Sequence, residues 1–217
     1  LYNLSESYFE RLLRLDRQNG GSHTSMLVRQ GRMHADIMAF PNKYFYGGRL
    51  QTVPLPHQHE ASSEPRLVFC DVPYNGCQAL KSNPVEADVV AEIVCHLNAT
   101  PTSIGIIVPF RAQIATIRAA LAEAKVNGYD LITIDTVERY QGSQRDYIIY
   151  CTCVTQPEQL DTISVEVETE DGFVDRKLNV AVTRARLRFF MVGCRRILMR
   201  SNLYANLILS CKAVPWH

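Results

Sequence analysis

Residues 178–193 read Leu178-Asn179-Val180-Ala181-Val182-Thr183-Arg184-Ala185-Arg186-Leu187-Arg188-Phe189-Phe190-Met191-Val192-Gly193. The part up to Arg186 has the apolar spacing of a helix that ends in two arginines, and the run from Arg188 has the composition of a buried strand. A helix followed by a buried strand is a unit of an α/β fold. Arg184 is expected to project over the sheet edge at which such folds bind ligands, where its guanidinium can fork onto phosphate oxygens. The alternative is that it only complements the dipole of the helix end.

Strands and helices alternate over most of the chain. Apolar runs predict strands at residues 67–70, 104–108, 131–134, 147–154 and 188–193. Helical spacing predicts helices at residues 5–15, 34–40, 83–97, 110–126, 178–186 and 203–211, and Pro41 is expected to end the second of them. Fully apolar strands are typical of a sheet that is covered on both faces. The pattern therefore predicts an α/β fold with a doubly wound, mostly parallel sheet.

The chain is long enough for one large α/β domain. Residues 1–65 are expected to form N-terminal helices and a connection, and residues 66–217 the α/β core, with one structural domain overall. The three prolines of residues 53–66 predict an exposed connection, and the acidic residues 156–172 predict a loop or hairpin over the sheet edge. Asn83 and Pro84 predict a helix start, with Glu86 closing a capping box.

Composition excludes some classes of protein. No apolar run approaches the ~20 residues that span a bilayer, so no membrane partner is expected. The 7 cysteines fall largely in apolar runs, which predicts reduced core thiols of an intracellular, cytoplasmic protein. His57 and His59 are expected to be loop residues, and Cys151 and Cys153 lack a second pair at zinc-ligand spacing. No metal site is predicted.

Charge is arranged in blocks, although the net charge is only +1. Residues 156–175 contain seven acidic side chains and no basic one, and residues 176–200 contain eight basic side chains and no acidic one. Such blocks are usually solvated surface. A positive stripe is also the electrostatic footprint of contact with phosphate or nucleic acid.

Four short segments carry the candidate chemistry. They are Gln30-Gly31-Arg32-Met33-His34-Ala35, Val108-Pro109-Phe110-Arg111, Thr136-Val137-Glu138-Arg139-Tyr140-Gln141-Gly142-Ser143-Gln144, and the opening stretch with Arg184. The second segment joins a strand end to a helix N-terminus, where free backbone N–H groups can bind phosphate. In the third, a glycine permits close backbone approach, and hydroxyl and amide groups can bond phosphates.

In this order the four segments resemble the motifs of the second, C-terminal RecA-like domain of superfamily 1 helicases, in the Upf-like and Dna2-like group that moves on single strands. The resemblance extends from Phe9-Glu10-Arg11-Leu12 to about Gly193. It implies a RecA-like, P-loop NTPase-type fold with ATP and Mg²⁺ as cofactors. It also implies single-stranded DNA or RNA as a partner.

The resemblance assigns the nucleotide-binding residues. It implies that Arg32 and Arg184 are catalytic arginines that reach the γ-phosphate of ATP across a domain cleft, and that Gln30, Gly142 and Gln144 contact the nucleotide. Three positions of these segments depart from the family pattern, and one of them is Ala35, which stands in place of a proline. Gly31 replaces a tyrosine that stacks on adenine, and Gln144 replaces a glutamate, which leaves the adenine contact and the ribose or metal-water contacts open.

The resemblance also assigns a nucleic-acid track. Its residues are Thr136, Gln141, Pro109, Phe110 and Arg111. Thr136 matches the hydroxyl residue that holds a backbone phosphate. Val108 and Phe110 stand where the family has threonine and tyrosine, so the hydroxyl contacts of that segment are missing.

The chain contains no Gly-Lys dipeptide and no Asp-Glu pair, so it carries neither a Walker A loop nor a Walker B pair. The family holds both on its first RecA-like domain. The sequence, which begins at Leu1, is therefore expected to be the second half of a motor, inactive alone and partnered by a first domain in the same polypeptide. One alternative is a degenerate helicase-like module that binds nucleic acid or acts as a scaffold without catalysis. Another is an α/β domain that binds a different phosphorylated ligand.

Overall fold

The fold is built on a six-stranded sheet in which every neighbouring pair is parallel, in the computed structural model of residues 8–21, 23–73, 81–97, 99–164, 166–169 and 172–215. The strands are β1 (Arg29–Gln30), β2 (Gln51–Thr52), β3 (Leu67–Asp71), β4 (Ile104–Val108), β5 (Thr133–Thr136), β6 (Arg145–Cys151), β7 (Glu166–Thr169), β8 (Gly172–Asp175), β9 (Ala185–Gly193) and β10 (Lys212–Pro215). The helices are α1 (Tyr8–Gln18), α2 (Ala35–Phe45), α3 (Pro56–His59), α4 (Pro84–His96), α5 (Arg111–Glu123), α6 (Leu160–Ile163), α7 (Arg176–Thr183), α8 (Arg195–Leu198) and α9 (Asn202–Ser210).

The order of strands in the main sheet is β10-β3-β9-β6-β4-β5. β1 and β2 form a small parallel pair, and β7 and β8 form an antiparallel hairpin within the acidic segment. The predicted doubly wound parallel α/β fold is confirmed. The sequence pattern missed β10, and it placed the starts of β5 and β6 two residues away from their observed positions.

Hydrophobic cores cover both faces of the main sheet. Phe69 and Phe189 face α2, α7 and α9, whereas Cys70 and Phe190, their neighbours along β3 and β9, face α4 and α5. Successive side chains of a strand point to opposite faces, so each central strand supplies both cores. This explains the apolar composition of β4 and of residues 189–193 in β9. Each fully buried large side chain contributes about 1.5–3 kcal/mol relative to exposure.

Pro41 does not end the second helix, contrary to the sequence prediction. α2 runs from Ala35 to Phe45 with Pro41 inside it, and the ring of His34 caps its N-terminus by accepting from the Asp36 N–H at 3.1 Å. Proline removes one hydrogen bond of the helix. Burial of the apolar face offsets this loss, and that face consists of Ile37, Phe40, Pro41 and Phe45.

The connection at residues 53–66 is mostly exposed, as expected, but two of its polar side chains are buried. It contains α3, in which Gln58 is completely buried, and it ends at the buried Arg66. The Arg66 guanidinium donates to the Glu60 and Leu187 carbonyls at 2.6 and 3.3 Å. Polar side chains therefore hold this segment against the amino end of β9.

One helix boundary and the role of one capping residue also differ from the prediction. Arg186 belongs to β9 rather than to the preceding helix, and it pairs with Asp146 at 2.6 Å. In α4, Asn83 is the cap as predicted, but the Glu86 carboxylate accepts from the Asn83 side chain and from the Cys153 N–H instead of closing a capping box. For the first helix, residues 5–7 of the predicted span lie outside the described residues, and α1 buries none of its side chains.

Candidate functional site

Arg184 lies directly between α7 and β9, at the amino end of the main sheet. This corrects the expectation that it projects over the carboxyl edge, where ligands of open α/β sheets usually bind. Its guanidinium donates to the Val180 carbonyl at 3.2 Å, the Thr183 hydroxyl at 3.2 Å and the Ser143 carbonyl at 3.4 Å. The contact with Val180 shows that Arg184 does complement the C-terminal turn of α7.

Arg32 reaches the same place from a distant part of the sequence. Its Nε donates to the Gln144 side-chain oxygen at 2.9 Å, and its Nη1 donates to the Thr183 carbonyl at 3.0 Å. Both arginines therefore contact Thr183, and both are half-buried. The structure brings together Arg32, Gln144 and Arg184, three of the residues that the sequence assigned to the nucleotide.

The electrostatics of this arginine pair favour an anion. Burial lowers the pKa of Arg184, and the neighbouring charge of Arg32 lowers it further. Within the described ranges, neither guanidinium forms an ion pair with an acidic side chain. Several other arginines of the same basic block do: Arg186 pairs with Asp146, Arg188 with Glu64 and Arg195 with Asp71. Two adjacent positive charges held only by neutral groups suit the oxygens of a polyphosphate.

The remaining predicted nucleotide contacts take different positions. The Gln30 side-chain oxygen accepts from the backbone N–H groups of Arg32 and Met33 at 2.9 and 2.8 Å, so it shapes the turn that carries Arg32. Gly142 is exposed with a φ of +83°, a conformation that favours glycine. A Cβ at Gly31 would come into close contact with the Leu55 and Val53 side chains, at 3.3 and 3.4 Å.

Sequence analysis missed two residues of this region. The buried Gln58 amide donates to the carbonyls of Gln30 and Met33, both at 2.9 Å, and the His57 ring lies 3.0 Å from the Arg32 carbonyl. The helix start at Pro56 was a usable signal, because proline is favoured at the first helical position. No pattern in the sequence indicated which side chain of that helix turns inward.

The predicted nucleic-acid residues lie mainly at the opposite, carboxyl edge. Thr136 ends β5, and Pro109 follows β4. Phe110 directly precedes α5, which begins at the exposed Arg111. Gln141 is exposed on the segment that leads from this edge to the other. The two predicted groups therefore occupy opposite ends of the sheet.

Thr136 has an acidic neighbour. Burial acts to raise the pKa of Glu138, but hydrogen bonds from its own backbone N–H and the Thr136 hydroxyl, together with Lys177, lower it overall. The Lys177 ammonium lies 3.4 Å from that carboxylate. A phosphate at Thr136 would therefore have to share the hydroxyl with Glu138.

Neither a metal cage nor a bilayer-spanning helix is found in the described part of the chain. Its His, Cys, Asp and Glu side chains form no group of three or more that could hold a metal ion. Its helices are too short or too polar to cross a bilayer. The residues present fit the phosphate end of a nucleotide, since the Arg32–Arg184 pair offers positive charge without a carboxylate.

A family model described as AAA domain matches residues 4–196. The chain belongs to this AAA domain family. Over most of its length the chain is similar to helicases of the Upf-like and Dna2-like group, which confirms the resemblance that the four segments predicted.

Three relatives of this AAA domain come from three different organisms. Regulator of nonsense transcripts 1 of Dictyostelium discoideum is 31% identical, and the alignment covers 94% of this chain and 16% of that protein. The ATP-dependent helicase upf1 of Schizosaccharomyces pombe is 28% identical, with 98% and 24% covered. The DNA replication ATP-dependent helicase/nuclease DNA2 of Gallus gallus is 31% identical, with 88% and 18% covered. The chain thus spans less than a quarter of the length of these relatives.

A solved structure supports the fold of this AAA domain. The C-terminal domain of a possible DNA helicase from Lactobacillus plantarum superposes with a TM-score of 0.50 at 13% identity, covering 85% of this chain and 98% of that one. At this identity the likeness concerns the fold alone. It agrees with the RecA-like assignment.

Proposed function

We propose that this AAA domain is the C-terminal motor domain of an ATP-dependent DNA or RNA helicase. It supplies Arg32 and Arg184 to an ATP that is bound mainly by a first RecA-like domain of the same polypeptide. The observation that carries the proposal is the meeting of these two arginines at Thr183, where only neutral acceptors hold them. The site of action is intracellular and cytoplasmic in this proposal.

ATP with Mg²⁺ and the residues of this domain have different parts in the proposed reaction. ATP with Mg²⁺ supplies the phosphoanhydride bond that is hydrolysed, and the first domain holds most of both. Arg32 and Arg184 place positive charge against the γ-phosphate oxygens as negative charge builds up on them. An arginine in this role accelerates related hydrolases by about 10³–10⁵-fold. Gln144 holds Arg32 in position, and Gly142 allows the backbone to approach closely.

The strand track belongs to the opposite edge of the sheet in this proposal. Thr136, Gln141, Pro109, Phe110 and Arg111 would contact the backbone of a single strand. Contacts to the backbone position a strand without reading its sequence, so DNA and RNA both suit this edge. Support comes from the exposed Arg111 at the N-terminus of α5 and from the helicase relatives.

The test is ATP hydrolysis by the intact polypeptide with and without single strands. Arg184→Ala and Arg32→Ala should each lower strand-stimulated turnover by about 10³-fold. Arg200→Ala is the control, because this arginine is exposed in the same basic block but lies outside the cluster. The 217-residue chain alone should show no turnover above background. Unchanged turnover in Arg184→Ala, or turnover by the isolated chain, would overturn the proposal.

A non-catalytic module is the second candidate, and one observation favours it. A Cβ at Gly31, where the family pattern has its stacking tyrosine, would lie in close contact with the Leu55 and Val53 side chains. A domain without the adenine contact would bind strands or act as a scaffold in this second candidate. Strand binding by the intact polypeptide without any strand-stimulated ATP hydrolysis would support this candidate.

A further inference from the structure

The turn that carries Arg32 is held by side chains rather than by a regular backbone ladder. The Gln30 side-chain oxygen accepts from the N–H groups of Arg32 and Met33, and the Gln30 amide donates to the Met33 carbonyl at 3.0 Å. The His57 ring lies at hydrogen-bond distance from the Arg32 carbonyl. The conformation of this turn therefore depends on a few specific polar groups.

Gln58 occupies the centre of this arrangement. It is completely buried, and its amide nitrogen donates to the Gln30 and Met33 carbonyls, which lie at the two ends of the turn. Its oxygen accepts from the Val53 N–H at 3.0 Å. Only a side-chain amide offers two donors and an acceptor of this shape. A buried polar group that loses its partners is costly, so a substitution at Gln58 must disturb the turn.

Gln58 serves the turn rather than the main core. It is the only buried residue of α3, and the residues just before and after it, His57 and His59, are partly or fully exposed. Its hydrogen bonds go to the Arg32 turn and to the Val53 N–H. On the far side of the turn, the Arg32 guanidinium donates hydrogen bonds to the Gln144 side-chain oxygen and the Thr183 carbonyl.

We propose that Gln58 is a positioning residue that fixes the Arg32 guanidinium beside Arg184 for ATP hydrolysis. This inference rests on the proposed function. A displacement of about 1 Å in a catalytic group can cost about 10²-fold in rate, so a buried amide that never touches ATP can still control turnover. Its loss lowers kcat because Arg32 acts only when it is correctly placed.

The test is a double-mutant cycle in the intact polypeptide. Gln58→Leu keeps the size of the side chain and removes its polar atoms, and Arg32→Ala removes the group that it positions. The kcat of strand-stimulated hydrolysis should fall about 10- to 100-fold in Gln58→Leu, with a smaller change in KM. In the Arg32→Ala background, the same substitution should have no further effect on kcat. His59→Ala, at an exposed position of the same helix, is the control and should keep wild-type kcat.

Thermal unfolding of the same variants separates positioning from stability. A merely structural Gln58 would lower the melting temperature and leave the kcat of the folded enzyme unchanged, which overturns the proposal. An equal loss of kcat with and without Arg32 also overturns it. If Gln58→Leu does not fold, His57→Ala makes the same test through the Arg32 carbonyl and should lower kcat several-fold.

The Arg32→Ala and Gln58→Leu variants together distinguish failure of the proposed function from failure of the role of Gln58. An Arg32→Ala variant with full activity removes the proposed function and the role of Gln58 together. An inactive Arg32→Ala variant beside a fully active Gln58→Leu variant removes the role of Gln58 alone.

Discussion

The two ends of the main sheet hold their ionisable side chains in opposite ways. At the amino end, Arg32 and Arg184 are half-buried beside each other and contact only neutral acceptors. At the carboxyl end, Glu86 is completely buried, and its carboxylate accepts from the Cys153 N–H at 2.8 Å, the Asn83 amide at 3.1 Å and the Cys151 thiol at 3.2 Å. The first arrangement leaves charge available to a ligand, whereas the second encloses it.

The chemistry of the two groups explains the difference. Burial raises the pKa of Glu86 to about 7. Near neutral pH this carboxyl can therefore hold a proton, which avoids the free-energy cost of a buried negative charge. An arginine cannot be deprotonated in this way, so the two guanidinium groups remain charged despite the lowered pKa of Arg184. A cluster that cannot neutralise itself is suited to bind an anion. The structural carboxyl needs no ligand.

Replacement of Arg184 by lysine at the amino end should have the largest effect, and that effect is on the rate of ATP hydrolysis. Lysine keeps the charge but has a single nitrogen, so it cannot match the fork that reaches Val180, Ser143 and Thr183. We expect strand-stimulated ATP hydrolysis by the intact polypeptide to fall by about 10²-fold or more. Arg195→Lys, at the ion pair with Asp71, is the matched control and should have little effect. Full activity in Arg184→Lys would show that charge alone suffices at the amino end.

The pH dependence of unfolding tests the enclosed carboxyl. The pKa of Glu86 is about 7 in the folded chain against an ordinary value of 4.5. The proton held by the folded state therefore stabilises it fully below about pH 4.5, and this contribution is lost as the pH rises through 7. Its size is about 3 kcal/mol. Glu86→Gln cannot titrate, so its melting temperature should fall less than that of the wild type between pH 5 and 8.

Glu92→Gln provides the control for that measurement, because Glu92 is exposed on the same helix. This variant should keep the pH profile of the wild type. Identical profiles for Glu86→Gln and the wild type would show that Glu86 keeps the same charge in the folded and unfolded states.

The smallest expected effect concerns the exposed part of the carboxyl end. Arg111→Ala removes one exposed charge at the start of α5. If Arg111 contacts a phosphate, affinity of the intact polypeptide for single strands should fall a few-fold, and the slope of log affinity against log salt should decrease by about 1. Arg118→Ala, within the same helix, should leave the slope unchanged. An unaltered slope in Arg111→Ala would exclude a phosphate contact at this position.

The α/β architecture could be predicted because its signals are local and strong. β4 and residues 189–193 of β9 contain no polar side chain, and the Asn83 cap with Pro84 marks the start of α4. The sequence patterns missed features that depend on tertiary contacts. Pro41 is tolerated because α2 packs against the sheet, and β10 becomes a strand because it pairs with β3.

The site could be predicted only in part for a similar reason. Arg32 and Arg184 were named from motif order, and their meeting at Thr183 depends on the path of the whole chain. The edge at which they meet was wrongly expected, because helix-to-strand order does not by itself place a residue at the carboxyl end. Gln58 was missed because its importance comes from the backbone atoms opposite it, which no spacing rule indicates.

One short segment joins the two ends of the sheet. Residues 137–144 leave the carboxyl end of β5 at Thr136 and arrive at the amino end of β6 beside Gln144, with Tyr140 packed against Gly105 of β4, where a Cβ would collide with its hydroxyl. Tyr140 is buried, so it anchors the middle of the segment to the main sheet. The eight residues of this segment therefore connect the Thr136 hydroxyl, which bonds Glu138, with the Gln144 side-chain oxygen, which accepts from Arg32.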